Sequence, residues 1–215
     1  MPLKHKYFID SHKASNAPVV LSLMVHYDVL QSPTAWVYLA LHGTYGVLWV
    51  LKSRTFGDKQ WEKPTTLVLG LGTWAVLSLY WIAPFLITSR RIEAPPWFLG
   101  LSIATWGVGV FFHFVSDMQK HAALSVRPGV LVTTGLWSRT RNPNYFGELL
   151  IYAAFGSLAL DWRPLAVLGL VVAGVWVPNM IRKDRSLSRY PDFADYKART
   201  GLLVPSPLAR RAGGR

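Results

Sequence analysis

The sequence predicts an all-α protein, a polytopic bundle of five to six transmembrane helices. Three observations carry this. Of 215 residues, 51% are hydrophobic and 16% charged, the balance of a membrane protein rather than a soluble domain. The apolar residues gather into blocks as long as a bilayer core is thick. The basic residues behind the net charge of +12 lie between and after those blocks instead of forming one patch.

In chain order, the opening "MPLKHKYFIDSHKAS" lacks the apolar run of a signal peptide and is expected to be retained. The next stretch, "APVVLSLMVHYDVL" at 17–30, is short for a span and carries His26 and Asp28, so it reads as a span, a re-entrant piece or an interfacial helix. The blocks 34–51, 65–87 and 97–115 are each long enough to cross. The block 143–181 is long enough for two helices, and "LDWRP" divides it. That gives five spans, or six if 17–30 crosses. The pieces between them are too short to bury cores of their own, so 1–215 reads as a single integral membrane domain, and any active site lies among the spans or at their mouths. The segment 206–215, ending in "ARRAGGR", reads as a disordered basic tail.

Charge placement orients the bundle. Lys52, Arg54, Lys59 and Lys63 fall in 52–63, Lys120, Arg127, Arg139 and Arg141 in 116–142, and the segment from Arg182 onward is the most basic. Segment 88–96 holds only Arg90 and Arg91, and 161–164 only Arg163. The alternation places the carboxyl terminus in the cytoplasm, whether of a bacterial inner membrane or of an endoplasmic reticulum. Nucleic acid is not an expected partner, since no basic patch with interleaved aromatics is present; the lipid bilayer is. With no cysteine there is no disulfide, thiolate metal site or cysteine nucleophile, and neither HExxH spacing nor a Walker-type or GxGxxG loop occurs. No metal site is expected.

The chemistry concentrates in "SRTRNPNYFGELL", 138–150. Pro143 suits the first position of a helix, making Asn142 its N-cap and leaving unpaired N–H groups, an anion-binding arrangement. Arg139 and Arg141 add two forked donors for phosphate or carboxylate. Asn144, Glu148 and Tyr152 then recur every four residues with Tyr145 beside them, a polar stripe on an apolar helix. A carboxylate inside a membrane helix is costly, so Glu148 is either functional or paired with Arg141 as structural glue. Upstream, "FFHFVSDMQKH" sets His113, Asp117 and Lys120 or His121 on one face. Asp117 suits ribose hydroxyls or an ion pair with Lys120 equally. Downstream, "RKDRSLSRYPDFADYKARTGLLVP" reads mostly as a solvated basic helix, with Asp195 and Arg199 spaced for an ion pair.

Taken together, "SD", "RPG" ten residues later, "GLW", "NPNYFGE" and "DYKARTGLLVP" resemble, over 112–205, the carboxyl-terminal domain of the steroid 5-alpha-reductase family; residues 1–111 match it weakly. The wider superfamily includes sterol reductases and the isoprenylcysteine carboxyl and phospholipid methyltransferases. The resemblance implies a helical membrane bundle enclosing an adenine-containing cofactor. Ser116–Asp117 and the full "PNYFGE" side with the reductases; Asn142 in place of histidine, and Arg182, Lys183, Asp184 in place of a glutamate pair, depart from the methyltransferases. The implied cofactor is NADPH, with S-adenosylmethionine the alternative, and the implied reaction is reduction of an activated C=C bond in a lipophilic, steroid-like or enone substrate. By resemblance Asp117, Arg127, Asn144, Tyr145, Glu148, Arg182 and Tyr196 hold the cofactor. Arg139, Arg141, Asn142 and the segment around Arg182 and Asp184 are expected to converge on the same cytoplasmic cavity. The family's acid, a tyrosine paired with an amino-terminal carboxylate, has no clean counterpart. The local substitute is His42, Tyr45 and Trp49 on one helical face beside Gly43 and Gly46, either a carbonyl-binding pair or close helix packing. A non-catalytic scaffold of the same fold is the remaining alternative.

Overall fold

The structure, a computed structural model, describes residues 2–207. The segment read as a disordered tail lies, beyond Pro207, outside the described residues. Among the described residues there is no strand, only isolated bridges at Lys4 with Pro64 and Thr140 with Gly201.

Helix α1 (His5–His26) leads through a turn to α2 (Pro33–Thr55), which starts where proline is tolerated and is capped by Ser32, whose side chain accepts from the Ala35 amide at 3.1 Å. Helix α3 (Leu67–Ser78), capped by Thr66 at 3.2 Å, tightens over Leu79–Trp81 and continues as α4 (Ile82–Ser89). Helix α5 (Pro96–Val110) passes through a wide π turn at Phe111–Val115 into α6 (Ser116–Val126). Helix α7 is Pro143–Ser157; α8 (Trp162–Val171) passes through a second π turn, Val172–Trp176, into α9 (Val177–Leu187); α10 is Phe193–Arg199.

Four continuous helical stretches are long and apolar enough to cross a membrane: Pro33–Thr55, Leu67–Ser89, Pro96–Val126 and Trp162–Leu187. Their outward faces carry Val68, Leu69, Trp97, Leu101 and Leu170, each more than half exposed, a surface suited to lipid and costly in water. The chain thus has the make-up of a multi-pass membrane protein. Two sequence expectations change in detail. The segment 17–30 is not a separate element, because its first ten residues complete α1, whose polar Lys13 and Asn16 are buried on an inward face. Helix α7 has 15 residues, about 22 Å at 1.5 Å per residue, shorter than the roughly 30 Å hydrocarbon core.

The contacts divide the chain into two compact units. The first comprises the chain up to Trp106 with Tyr152–Leu168; the second comprises Gly107–Ile151 and the chain from Gly169 onward. In the first, α1 lies against α2 at Gly43 and Gly46, where a Cβ on Gly46 would overlap the Lys13 carbonyl. One end of this unit gathers three loops. Thr34 donates to Glu93 at 3.0 Å and accepts from the Ala94 amide at 2.8 Å; Arg91 donates to the Tyr27 and Asp28 carbonyls; Arg90 meets Asp161 at 3.2 Å. Trp36, Trp97 and Trp162 stand exposed beside these loops, the placement of an interfacial aromatic belt. Hydrogen bonds from the Arg163 side chain and backbone hold the Asp161 carboxyl down at about 2.

In the second unit α5 and α7 touch backbone to backbone. A Cβ on Gly109 would lie 2.8 Å from the Gly147 carbonyl, and one on Gly147 would collide with the His113 amide. We expect Gly147→Ala to cost about 1–3 kcal/mol by overpacking, whereas Gly72→Ala, where a Cβ meets nothing within 4 Å, should stabilise by up to about 1 kcal/mol through helix propensity. Unfolding midpoints in detergent check the pair; equal shifts would contradict this packing.

Candidate functional site

The second unit brings most of the cofactor-binding candidates onto α6, α7, α9 and α10. Arg141 precedes α7 and is 6% exposed. Its Nε lies 3.1 and 3.2 Å from the two Asp184 carboxylate oxygens, and Nη1 donates to the carbonyls of Thr200 at 2.5 Å and Lys197 at 3.2 Å. Asn142 donates through Nδ2 to the Leu202 carbonyl at 2.8 Å and accepts from Lys183 at 2.9 Å, while Lys183 also reaches the Arg141 carbonyl at 2.8 Å and lies over the Trp137 ring. Tyr196 donates to the Trp137 carbonyl at 2.7 Å, and burial pushes its phenol above the usual range, which keeps it a donor. These groups form a latch that fastens the chain after α10 to the start of α7. The carboxylate that pairs with Arg141 is that of Asp184, at 3.1 Å.

The stripe on α7 lies beyond that latch. His113, buried in the first π turn, is 3.1 Å through Nδ1 from the Asn144 carbonyl, which fixes the proton on Nδ1. Asp117, one turn on, is buried, as is Ser116, whose carbonyl accepts from Trp137 Nε1 at 3.0 Å. The side-chain oxygen of Asn144 is buried and has no hydrogen-bond partner. Glu148 follows one turn later, half-buried, and the Tyr145 ring meets Trp176 of the second π turn at 5.3 Å. Arg127, Arg139 and Arg182 are exposed, the last bonded to Asn179. The arginines thus differ: Arg141 is consumed by the fold, and these three point outward.

The first unit holds the other candidates. His42 Nδ1 lies 2.8 Å from the Tyr38 hydroxyl, and its ring stacks on Phe155 at 4.3 Å. Tyr45 is fully buried beneath the Lys13 ammonium, which also lies over Trp49 and Tyr152 and hydrogen-bonds the Tyr152 hydroxyl. Sequence reasoning passed over Lys13, along with His12 and Asn16, because the amino-terminal segment reads as an extramembrane flank. The one available signal was the spacing of His12, Lys13, Asn16 and Val20, an inward helical face. Lys183 and Thr200 were missed for a related reason: their partners lie far along the chain. Among the described residues no group of three or more His, Asp or Glu side chains is placed to hold a metal ion.

Residues 58–200 match the family described as "Protein of unknown function (DUF1295)". Two curated relatives are each 31% identical: the cobalt-zinc-cadmium resistance protein CzcN of Cupriavidus metallidurans, over 161 residues and 74% of this chain, and the nickel-cobalt-cadmium resistance protein NccN of Alcaligenes xylosoxydans xylosoxydans, over 139 residues and 63% of this chain. The match spans 60% and 64% of those relatives' own lengths. No solved structure matches.

The latch makes a thermodynamic prediction. Arg141→Ala should cost about 3–5 kcal/mol, because it strands the buried Asp184 carboxylate. Adding Asp184→Ala should recover part of that loss, and the double-mutant cycle in chemical unfolding measures the coupling. Strict additivity of the two substitutions would show that the pair does not hold the unit together.

Proposed function

The chain belongs to the DUF1295 family, a steroid 5-alpha-reductase-like group, and from that premise we propose that it is a membrane-embedded reductase that uses NADPH to saturate an activated C=C bond in a lipophilic molecule. One observation carries the reading: the Asn144 side-chain oxygen, buried without a hydrogen-bond partner one turn before the Glu148 carboxylate on an otherwise apolar helix. A buried acceptor left alone costs about 1–3 kcal/mol, so a bound amide or hydroxyl is its natural partner.

The residues fit a phosphate-bearing dinucleotide in kind. Arg127, Arg139 and Arg182 offer forked donors to phosphates, and Asn144, Glu148 and Asp117 offer acceptors to ribose hydroxyls or a carboxamide. Arg141, Asn142, Asp184 and Tyr196 act one step back, by fixing where α7 starts and where the basic segment after α9 runs. The bound cofactor would supply hydride. The reaction is balanced by a proton added at the carbon α to the carbonyl or at the enolate oxygen, and within the first unit Tyr45 is the candidate donor. The Lys13 ammonium over its ring stabilises negative charge developing on that phenol. His42 is tied to Tyr38 and positions instead of transferring. In this reading α7 is a short fifth span and the carboxyl-terminal latch faces the cytoplasm. The relatives' link to cobalt, zinc and cadmium resistance would then reflect chemistry on a membrane component.

Thermal unfolding of the purified protein with NADPH or S-adenosylmethionine tests the cofactor. NADPH alone should stabilise, by about 2.7 kcal/mol at a hundredfold excess over Kd. Stabilisation by S-adenosylmethionine instead would make the protein a methyltransferase, and by neither a scaffold. Glu148→Gln should remain folded and bind NADPH at least tenfold more weakly, about 1.4 kcal/mol. Topology is checked separately on this cysteine-free chain: cysteines placed at Arg127 and Arg185 should react with an impermeant maleimide from the same, cytoplasmic side.

A further inference from the structure

Beyond α9 the second unit sorts its charges by face. The apolar stretch that ends in α9, Trp162–Leu187, has 26 residues, about 39 Å at 1.5 Å per residue, enough to carry its end past the roughly 30 Å hydrocarbon core to the lipid headgroups. Between Ser188 and Lys197 stand two cations, Arg189 and Lys197, and two acids, Asp192 and Asp195, all exposed. By composition that stretch is neutral. The fold separates the signs: Arg189 and Lys197 border one open depression of about 390 Å³ at the junction of α9 and α10, together with Tyr190 and Phe193, and neither acid borders it.

Neutral groups hold Arg189 in place there. Its Nη1 donates to the Ser186 carbonyl at 3.2 Å and hydroxyl at 2.9 Å, its Nη2 donates to the Tyr190 hydroxyl at 3.2 Å, and the guanidinium lies over the Tyr190 ring, 4.9 Å from its centroid. Among the described residues neither Arg189 nor Lys197 forms a salt bridge, so both charges stay uncompensated. A guanidinium has further N–H groups to give, an ammonium has three, and the Tyr190 hydroxyl, accepting from Arg189, keeps its own proton for a ligand. Donors and positive charge around one hollow, with no carboxylate, are the complement of a phosphate. An arginine fixed beforehand also reduces the side-chain ordering that binding costs. Two turns back along α9 from Ser188, on the same helical face, Ile181 is 41% exposed, so an acyl chain attached to that phosphate meets apolar surface.

We propose that the depression at the junction of α9 and α10 is a binding site for the phosphate group of an anionic phospholipid, held by Arg189 and Lys197. It uses none of the arginines assigned to the cofactor and stands whether or not the protein is a reductase. The lipid is retained there and not converted, and it ties the basic segment after α9 to the bilayer surface.

The full-length protein in a neutral detergent is titrated with phosphatidylglycerol or with zwitterionic phosphatidylcholine, and retained lipid is counted by native mass spectrometry. The wild-type protein should hold its first phosphatidylglycerol about tenfold more tightly than phosphatidylcholine, the order expected of two cations at a headgroup. Arg189→Gln combined with Lys197→Gln should abolish the preference at an unchanged unfolding midpoint, since both side chains are exposed. Arg127→Gln combined with Arg199→Gln removes equal charge from positions that do not border the depression and should leave the preference intact. If the first pair lowers the midpoint, Lys197→Gln alone, which leaves the Arg189 contacts in place, carries the test and should weaken phosphatidylglycerol severalfold. Equal affinity of the wild-type protein for the two lipids, or a preference that survives loss of Arg189 and Lys197, would overturn the site. Equal loss in both pairs would replace it with a diffuse basic surface, and displacement of the lipid by millimolar inorganic phosphate would make it a site for free anions.

Discussion

A guanidinium removed from water must have its donors met by protein, and in the second unit Arg141 meets that requirement with groups from two separate stretches of chain. Its Nε engages Asp184 of α9, and its Nη1 reaches the carbonyls of Lys197 and Thr200 at the end of α10. Because a lone buried charge is so unfavourable, this geometry ties the start of α7, the end of α9 and the chain after α10 into one arrangement. Lys183, Asn142 and Tyr196 close the same latch. The position of the polar stripe on α7 depends on it, since the latch sets where that helix begins.

Close approach of backbones is the second constraint. Gly109 and Gly147 let α5 and α7 touch with no side chain between them, so His113 and Asn144 fall within hydrogen-bonding distance. The π turn at Phe111–Val115 places His113 there; such turns rotate the residues that follow them, and they recur at functional sites. The first unit uses the same device at Gly46, where α1 comes down on α2 and carries Lys13 against the Tyr45, Trp49 and Tyr152 rings. Small residues thus set helix spacing, and helix spacing decides which polar groups meet.

The apolar faces of the long helices carry little chemistry and suit lipid, and aromatic rings meet several of the buried cations and imidazoles. A ring face holds the Lys13 and Lys183 ammonium groups, and ring stacking holds His12 and His42. Aromatic walls lower the dielectric around such groups and strengthen their interactions.

The helical class, the long apolar helices, the break between α7 and α8 and the polar stripe of Asn144 and Glu148 were all determined by the sequence itself, because hydropathy and helical spacing are local properties. The likeness to a steroid 5-alpha-reductase-like group, though not the particular family within it, was legible in "NPNYFGE" and its neighbours for the same reason. Tertiary structure decided which polar residues are spent on the fold. Arg139 and Arg141 read alike in the chain, yet one is exposed and the other is sealed against Asp184. His12, Lys13 and Asn16 read as an extramembrane flank and are core. Their roles depend on partners tens of residues away or more, Asp184 for Arg141, Tyr152 for Lys13 and Trp81 for Asn16, and the free energy of a buried charge or amide is set by such partners, which no local pattern specifies.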